Sequence, residues 1–236
     1  MTDANPQTDP AMVDFEQSYQ DHTLSPGDAT MDRLPWETGR PQPELVEFER
    51  SGSIHGEVLD IGCGPGDSAI YLAERGYRVT GLDLAPTAIE QARAHAAADR
   101  ITASFDVADA LTLVGYEDRF DTVVSSALFH CLEPQQRRAH VAALSRVTRT
   151  GGTLIQFTFA EGEFSAAFAP YAIDADGLRE AFGTPEWSIT VLRAGSLAAV
   201  ASESMLDSFA QTGFRPGLDD DGFMRLPIWV LVAERT

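Results

Sequence analysis

From Gly56 onward the sequence alternates short apolar runs with amphipathic stretches, and this alternation restricts the fold more than any other feature. Apolar runs of this length, separated by segments with helical periodicity, are typical of βαβ units whose strands pair in parallel. The alternation therefore predicts an α/β fold. The predicted strands cover residues 58–61, 78–82, 104–107, 120–125, 152–159, 187–192 and 226–233.

Two helices are predicted between the first three strands. Asp67 is expected to cap a helix over residues 67–75, and Gly76 follows at the position where a helix usually ends in a left-handed residue. Pro86 suits the first turn of an alanine-rich helix over residues 87–98. Each helix would connect consecutive parallel strands.

The two ends of the chain are less regular than its middle. Residues 1–50 are interrupted by six prolines and hold only short apolar clusters, which indicates an N-terminal arm. Residues 51–236 are expected to form a single domain, because 236 residues is an ordinary size for one α/β domain. Residues 195–225 read as a long connection or insertion between the last two strands.

The charge balance restricts the possible partners. The chain has 17 Lys and Arg residues against 36 Asp and Glu residues, a formal net charge of −19. Such a surface repels nucleic-acid phosphates and anionic lipids, so we expect neither nucleic-acid nor membrane binding. Small-molecule or protein partners remain, and the oligomeric state, monomer or homodimer, stays open.

The cysteine content and the chain start indicate a cellular compartment. With only Cys63 and Cys131, a disulfide framework is not expected and a four-cysteine zinc site is excluded, so no metal is predicted. The first residues are acidic and contain prolines, unlike a targeting presequence. The longest apolar run, residues 226–233, is far below the ~20 residues of a membrane span. We expect a cytoplasmic protein.

A glycine-rich loop follows the first strand, in VLDIGCGPG at residues 58–66. Glycines at this position allow tight turns and close approach of a ligand to the backbone. The third position of a dinucleotide fingerprint would fall on Asp67, where a carboxylate repels a pyrophosphate, so NAD is disfavoured. Asp60 and Asp67 instead favour a ligand that carries positive charge.

Further polar residues stand at the ends of the next strands. Asp83 ends the second strand at the spacing of an acid that binds the hydroxyls of an adenosine ribose. Asp109 and Ala110 follow the third strand, where an adenine would lie. Ser126 and His130 follow the fourth strand, at the switch point where open α/β sheets bind ligands.

These motifs, VLDIGCGPG, GLD, VADA, FDTVVSSALFH and RTGGTLI, resemble those of class I S-adenosylmethionine-dependent methyltransferases. The segment LPWETGRPQP at residues 34–43 resembles an arm segment of the thiopurine, thiol and halide methyltransferases and of the actinobacterial heterocyclic-toxin methyltransferases. The resemblance implies a Rossmann-like sheet of seven strands with helices on both faces and an antiparallel last strand. It also implies an arm over the cofactor and a substrate lid near residues 160–180.

The resemblance also implies roles for individual residues, with S-adenosylmethionine as cofactor and S-adenosylhomocysteine as product. Ser125 departs from relatives that often carry an acid at its position. The implied cofactor-binding residues are Tyr19, Trp36, Arg40, Asp60, Gly62, Cys63, Gly64, Asp83, Leu84, Asp109, Ala110 and Ser126. The implied substrate-binding residues are Phe15, Phe129, Phe164, Phe168 and Tyr171.

Several of these residues also have a purely structural interpretation. His130 could act as a general base, or it could cap or pack. Cys131 is interpreted as a small apolar filler, and the acidic residues 219–221 as solvated. The aromatic residues between 164 and 171 suit a lid and a helix core equally well.

The predicted reaction is methyl transfer to a hydroxyl or nitrogen of a small heteroaromatic compound, achieved mainly by alignment and desolvation. An acceptor that is already ionised at neutral pH needs no catalytic base. Two alternatives remain: S-methylation of thiols, thiopurines or halide, and a protein that binds S-adenosylmethionine without turnover.

Overall fold

The computed structural model describes residues 14–24, 30–162, 164–165, 169 and 171–236. At its centre lies one mixed sheet whose long strands carry the predicted apolar runs. The strands are β1 (Glu57–Ile61), β2 (Arg78–Asp83), β3 (Ser104–Val107), β4 (Phe120–Ser126), β5 (Thr148–Phe159), β6 (Trp187–Ala199), β7 (Gly217–Leu218) and β8 (Met224–Arg235).

The strand order is β3-β2-β1-β4-β5-β8-β6, and the short strand β7 pairs with β8. Strands β1 to β5 pair in parallel, whereas β8 runs antiparallel to both β5 and β6. The expected mostly parallel sheet with an antiparallel last strand is confirmed. The strand order reverses at β1 and β4, so their carboxyl ends open a crevice for a ligand.

Helices cover both faces of the sheet, because successive residues of a buried strand point to opposite sides. Val58 faces the side covered by α2, α3 and α4, and Leu59 faces the side covered by α5 and α6. The helices are α1 (Phe15–Asp21), α2 (Pro43–Arg50), α3 (Asp67–Glu74), α4 (Pro86–Asp99), α5 (Pro134–Val147), α6 (Ala175–Phe182) and α7 (Glu203–Gln211). Among the described residues, none of these helices has the length and apolar character of a membrane span.

The interpretation of residues 195–225 as an insertion needs correction. Strand β6 continues to Ala199, well beyond the predicted end at residue 192, because its second half pairs with the first half of β8 from Gly195↔Ile228 to Ala199↔Met224. The remaining connection holds α7 and β7. This half of β6 depends on pairing with a strand that is distant in sequence, so its own sequence carries little local signal.

The arm also differs from the prediction at its end. Leu45 of α2 is fully buried in the main core, so α2 belongs to the domain and the covering segment ends near residue 42. Contacts with the start of α4 and with the residue after β6 help to hold this covering segment. The Glu16 carboxylate accepts bonds from the backbone and hydroxyl of Thr87, at 3.0 and 2.7 Å, at the N-terminus of α4. The Val200 amide donates to the Pro35 carbonyl at 2.8 Å.

Candidate functional site

The glycine-rich loop turns sharply after β1 because three of its residues adopt positive φ angles. These angles are 71° at Gly62, 51° at Gly64 and 90° at Gly66. A Cβ atom at Gly64 would lie 2.8 Å from the hydroxyl of Tyr19, an arm residue. Glycine is therefore required at position 64 both by the backbone conformation and by the close approach of the arm.

A cavity of about 660 Å³ opens between this loop, the carboxyl ends of β1, β2 and β4, and the arm. This volume is in the usual range for a site that holds one or two small molecules. All twelve residues predicted to bind the cofactor line it, although their binding role itself stays a prediction. They are Tyr19, Trp36, Arg40, Asp60, Gly62, Cys63, Gly64, Asp83, Leu84, Asp109, Ala110 and Ser126.

Asp60 is a buried carboxylate with an unused oxygen. Its side chain is 1% exposed, and its Oδ2 atom has no hydrogen-bond partner in the structure. Burial, followed by the nearby charge of Asp83, raises the pKa of Asp60 to about 7, against a hydrogen bond from the Ala69 amide. A buried, unpaired carboxylate oxygen at the cavity wall fits a ligand ammonium group.

Asp83 at the end of β2 accepts backbone hydrogen bonds with both of its oxygens. The amides of Gly64 and Ala85 donate to Oδ2 and Oδ1, each at 2.9 Å. Burial raises the pKa of Asp83, whereas these hydrogen bonds lower it. Each carboxylate oxygen can accept a second hydrogen bond, so Asp83 can hold the loop and two ligand hydroxyls together.

Asp67 does not cap α3 as predicted. Gly66 is the N-cap residue, and Asp67 is the first residue of the helix. Its carboxylate faces the arm instead, where the backbone amides of Gly39 and Arg40 donate to it and the Thr38 hydroxyl lies 3.4 Å away. Asp67 therefore fastens the arm to the glycine-rich loop, a contact that sequence spacing alone cannot indicate.

The carboxylates of Asp60, Asp67 and Asp83 all line the cavity, and burial raises the pKa of each. Raised values mean that these groups lack enough positive charge nearby to offset desolvation. A cation in the cavity would supply it. S-adenosylmethionine, with an ammonium, a sulfonium and ribose hydroxyls, fits this donor and charge pattern, whereas a pyrophosphate does not.

Aromatic residues of the arm close the cavity from above. The Trp36 ring lies 5.7 Å from the Phe15 ring and 6.1 Å from the Tyr19 ring, measured between centroids. All three line the cavity. Their edges and faces form an apolar cover over the loop.

Arg40 has an additional contact that the sequence did not suggest. Its guanidinium pairs with Asp219 and Asp221 and lies 4.0 Å above the Phe223 ring. The interpretation of residues 219–221 as solvated needs correction for Asp219, whose side chain is only 23% exposed, whereas the Asp221 side chain is 70% exposed. Arg40 joins the arm to the turn between β7 and β8, so its charge is largely committed to these acids.

His130 lies in a short 3-10 turn after β4 and lines the cavity. Its Nδ1 atom accepts a hydrogen bond from the Phe159 amide at 3.2 Å, and its ring stacks on the Phe159 ring at 4.0 Å. Burial, followed by the charge of Arg137, lowers the pKa of His130 to about 3. The imidazole is neutral at physiological pH. Burial raises the pKa of the Cys131 thiol to about 12, which fits an inert filler.

The part of the cavity distant from the glycine-rich loop is apolar. We call it the apolar chamber. Most of its wall comes from β6, α7 and β8, and the β6 and α7 residues lie in the segment that the sequence indicated only as an insertion. The sequence signal that could have indicated this wall is the pair of apolar residues four positions apart on α7, Met205 and Phe209. The chamber is lined by Phe159, Phe164, Leu197, Met205, Phe209 and Leu226.

The structure brings only some of the predicted substrate-binding residues to the cavity. Phe15 and Phe164 line the cavity. Phe129 does not: it is fully buried in the core against His140 and Phe182, so its substrate role is corrected to packing. Tyr171 is absent from the described lining, and its carbonyl accepts a hydrogen bond from Arg137. Phe168 lies outside the described residues.

Ser125 and Ser126 are the last two residues of β4, and their side chains have different surroundings. Ser125 is fully buried within β4, and its hydroxyl has no hydrogen-bond partner, so it makes no polar contact with the cavity. Ser126, one residue later, points into the cavity. Within the described part of the chain, no group of three or more His, Cys, Asp or Glu side chains could hold a metal ion.

Comparison with known proteins places this site in context. A family model described as a methyltransferase domain matches residues 58–152. A 2-heptyl-1-hydroxyquinolin-4(1H)-one methyltransferase of Mycobacteroides abscessus is 34% identical over 223 residues, which cover 94% of this chain and 96% of the relative.

Two solved structures are also similar to this chain. One, described as concerning the conversion of a disulfide bond into a thioacetal group during echinomycin biosynthesis, has a TM-score of 0.78 and 33% identity, covering 94% of this chain and 90% of that chain. Magnesium protoporphyrin IX methyltransferase from Synechocystis with bound SAH has a TM-score of 0.59 at 18% identity, covering 82% and 80%, a similarity of fold alone.

Proposed function

Because this chain belongs to the class I S-adenosylmethionine-dependent methyltransferases, we propose that its acceptor is a small heteroaromatic compound with an ionisable hydroxyl and an apolar substituent. Methylation of the hydroxyl oxygen, or of a ring nitrogen, would release S-adenosylhomocysteine. The relative from Mycobacteroides abscessus, named for a heptyl hydroxyquinolone, supports this acceptor class.

One observation carries the proposal: the apolar chamber continues directly from the wall that holds the acidic residues, within a single cavity of about 660 Å³. One end would hold the cofactor and the other the acceptor. Phe164, Met205 and Phe209 of the chamber carry no ionisable group, which favours an uncharged planar or alkyl group at that end.

The chain's own residues would bind and orient the cofactor at the acidic end. Asp60 would accept from its ammonium group, Asp83 from its ribose hydroxyls, and Asp109 with Ala110 would border its adenine. When bound, S-adenosylmethionine supplies a methyl group already activated on a sulfonium. Trp36 and Tyr19 would keep water from this reactive centre.

Alignment and desolvation would supply most of the rate. Holding the acceptor oxygen in line with the methyl group removes the entropy cost of their encounter, which can be worth about 7–11 kcal/mol. An acceptor hydroxyl that is ionised at pH 7 has no proton to lose during the reaction. The neutral His130 and the un-ionised Cys131 thiol are consistent with a site that moves no proton.

Methylation of sulfur is the second candidate, favoured by the similarity to the structure that concerns a disulfide and a thioacetal group. Both acceptor types would use the same cofactor end of the cavity. The two acceptor types differ in the polarity of the reacting group that they bring to the chamber. A thiolate is a much weaker hydrogen-bond acceptor than an oxyanion.

The decisive experiment incubates the full chain with methyl-labelled S-adenosylmethionine and a panel of acceptors. The panel holds hydroxyquinolones with and without an alkyl chain, a simple phenol, an aromatic thiol, a thiopurine and iodide. Mass spectrometry identifies the methylated atom. We expect O-methylation or N-methylation of the alkylated heterocycle with the highest kcat/KM; faster turnover of the thiol, thiopurine or iodide would favour the second candidate instead.

We further propose that the enzyme acts in the cytoplasm as a monomer or homodimer, without nucleic-acid partners. Both cysteines are free, which suits a reducing compartment, and the net charge of −19 disfavours polyanions. Sedimentation of the pure protein distinguishes the two oligomeric states.

A further inference from the structure

His130 is held in one orientation by the end of the neighbouring strand. After β4, Ala127 adopts a left-handed conformation with φ of 61°, and the chain turns so that His130 reaches Phe159, the last residue of β5. The imidazole both accepts from the Phe159 amide and stacks on the Phe159 ring. Rotating the ring would leave a strand-end amide without its partner, at a cost typical of a lost buried hydrogen bond.

This contact determines which ring nitrogen carries the proton. A neutral imidazole has one donor and one acceptor nitrogen, and a backbone amide can only donate. Nδ1 must therefore be unprotonated, and Nε2 carries the hydrogen. No carboxylate among the described residues bonds to His130, and the one charged group that acts on it, Arg137 of α5, opposes protonation.

The arrangement is the reverse of a histidine base. In a catalytic base, Nδ1–H donates to an orienting acid, and the unprotonated Nε2 accepts the substrate proton. Here the unprotonated Nδ1 faces the backbone, and no described residue accepts from Nε2–H. Because His130 lines the cavity, this donor is available to a ligand.

We propose that His130 binds the acceptor as a hydrogen-bond donor, through Nε2–H, and that it selects acceptors whose reacting group is an ionised oxygen. This inference rests on the proposed function. The acceptor loses its proton to solvent, its oxygen lone pair forms the new O–C bond, and the C–S bond breaks with its electrons remaining on sulfur. No proton passes through His130.

The donor gives the site a preference between acceptor atoms. A hydrogen bond to an anion favours the ionised over the neutral acceptor, so the pKa of the bound hydroxyl falls below its value in water. The same contact gives little to a thiolate, because sulfur is a weak acceptor. His130 would thus select oxygen over sulfur and anion over neutral form.

Two variants distinguish the role of Nδ1 of His130 from the role of its Nε2. His130→Asn places an amide oxygen near the position of Nδ1, so it can still accept from the Phe159 amide but lacks a donor at the position of Nε2. His130→Gln extends far enough to place an amide donor near Nε2. Neither amide titrates, so neither variant can act as a base. Unfolding curves and the affinity for S-adenosylhomocysteine establish that both variants retain the fold and the cofactor end.

The main measurement is an ultraviolet titration of a 1-hydroxyquinolin-4-one bound to the protein–S-adenosylhomocysteine complex, since ionisation changes its absorbance. We expect a lowered bound pKa in the wild type, loss of this shift in His130→Asn, and partial retention in His130→Gln. The Asn variant should bind the anion roughly 10- to 100-fold more weakly, as expected for a hydrogen bond to a charged group. An unchanged bound pKa and affinity in His130→Asn would overturn the proposal.

If His130 acted as a general base, the two variants would change the rate in a different way. Both variants would then lose about 10²–10⁴-fold in rate, and the loss would be confined to acceptors that are neutral at the assay pH. Nitrogen-15 spectra of labelled histidine in the ligand-free protein test the tautomer independently: a proton on Nδ1 of His130 overturns the inference even if no heterocycle binds. Failure of the wild type to bind or methylate any heterocycle counts against the proposed function instead.

Discussion

We predict that the buried carboxyl of Asp60 couples cofactor binding to pH. Without ligand its pKa is about 7 because burial disfavours the charged form, and Oδ2 has no partner. An ammonium group beside it restores the charge balance and lowers this pKa, so binding near pH 6 must release a proton from Asp60. The affinity therefore falls as the pH drops below 7.

The size of the effect follows from the same pKa. Below pH 7 the affinity should fall tenfold per pH unit, which amounts to roughly 25-fold between pH 7.5 and 5.5. S-adenosylhomocysteine is a suitable probe, because it keeps the amino acid group. Calorimetry at pH 6 in buffers with different ionisation heats should detect close to one proton released for each ligand bound.

The variant Asp60→Asn tests the reasoning from the opposite direction. The amide keeps an oxygen for the Ala69 amide but cannot ionise, so the pH dependence should flatten, and the affinity at pH 7.5 should fall roughly 10- to 100-fold. Glu90→Gln, which removes an exposed acid from α4, is the matched control and should retain the wild-type pH dependence.

The stability of the ligand-free protein should change in the opposite direction to the ligand affinity: Asp60→Asn should lower the affinity but raise the stability. The pKa of Asp60 in the folded state lies above its unfolded value, so the folded state holds the proton more tightly and loses stability as pH rises from about 4 to 7. Asp60→Asn should therefore raise the free energy of unfolding of the ligand-free protein by about 2–4 kcal/mol at pH 8 and by little at pH 3.5. A variant that binds with unchanged affinity, or is destabilised at pH 8, would refute this account.

Four other predictions concern separate parts of the site. Asp83→Asn should weaken S-adenosylhomocysteine binding by about 1–3 kcal/mol in calorimetry, because one acceptor oxygen becomes a donor; unchanged affinity would refute the ribose assignment. Arg40→Ala should speed cofactor release by roughly 2- to 5-fold in stopped flow and lessen protease protection of the arm. Asp219→Asn should have a smaller effect, because Arg40 keeps a second acid; equal release rates in all three proteins would disprove the role of Arg40 in holding the arm. Phe209→Leu enlarges the apolar chamber at a stability cost of roughly 1 kcal/mol and should shift the preferred acceptor to longer alkyl chains in a substrate series. The Cys131 thiol, with a pKa of about 12, should resist alkylation at pH 8, where roughly one molecule in 10⁴ carries the thiolate; rapid labelling at this position would contradict the raised pKa.

The features that the sequence predicted well depend on local patterns. Apolar periodicity identified the long strands from residue 58 to residue 159, because each strand is buried on both faces and reads as an apolar run. The glycine-rich loop needs its residue types for backbone reasons that hold in any fold. Asp83 could be placed at the sheet edge because a strand end positions its last side chain.

Only the tertiary structure decided the features that depend on residues far apart in the chain. The second half of β6 is a strand because β8 pairs with it, and Asp67 contacts an arm that folds back from 29 residues away. Phe129 and His130 are neighbours in sequence, yet one packs into the core and the other lines the cavity, because a left-handed residue at Ala127 turns the chain. The tautomer of His130 follows from the amide of Phe159, which the sheet brings to Nδ1. Local propensity cannot encode such contacts, because their partners meet only after the chain has folded.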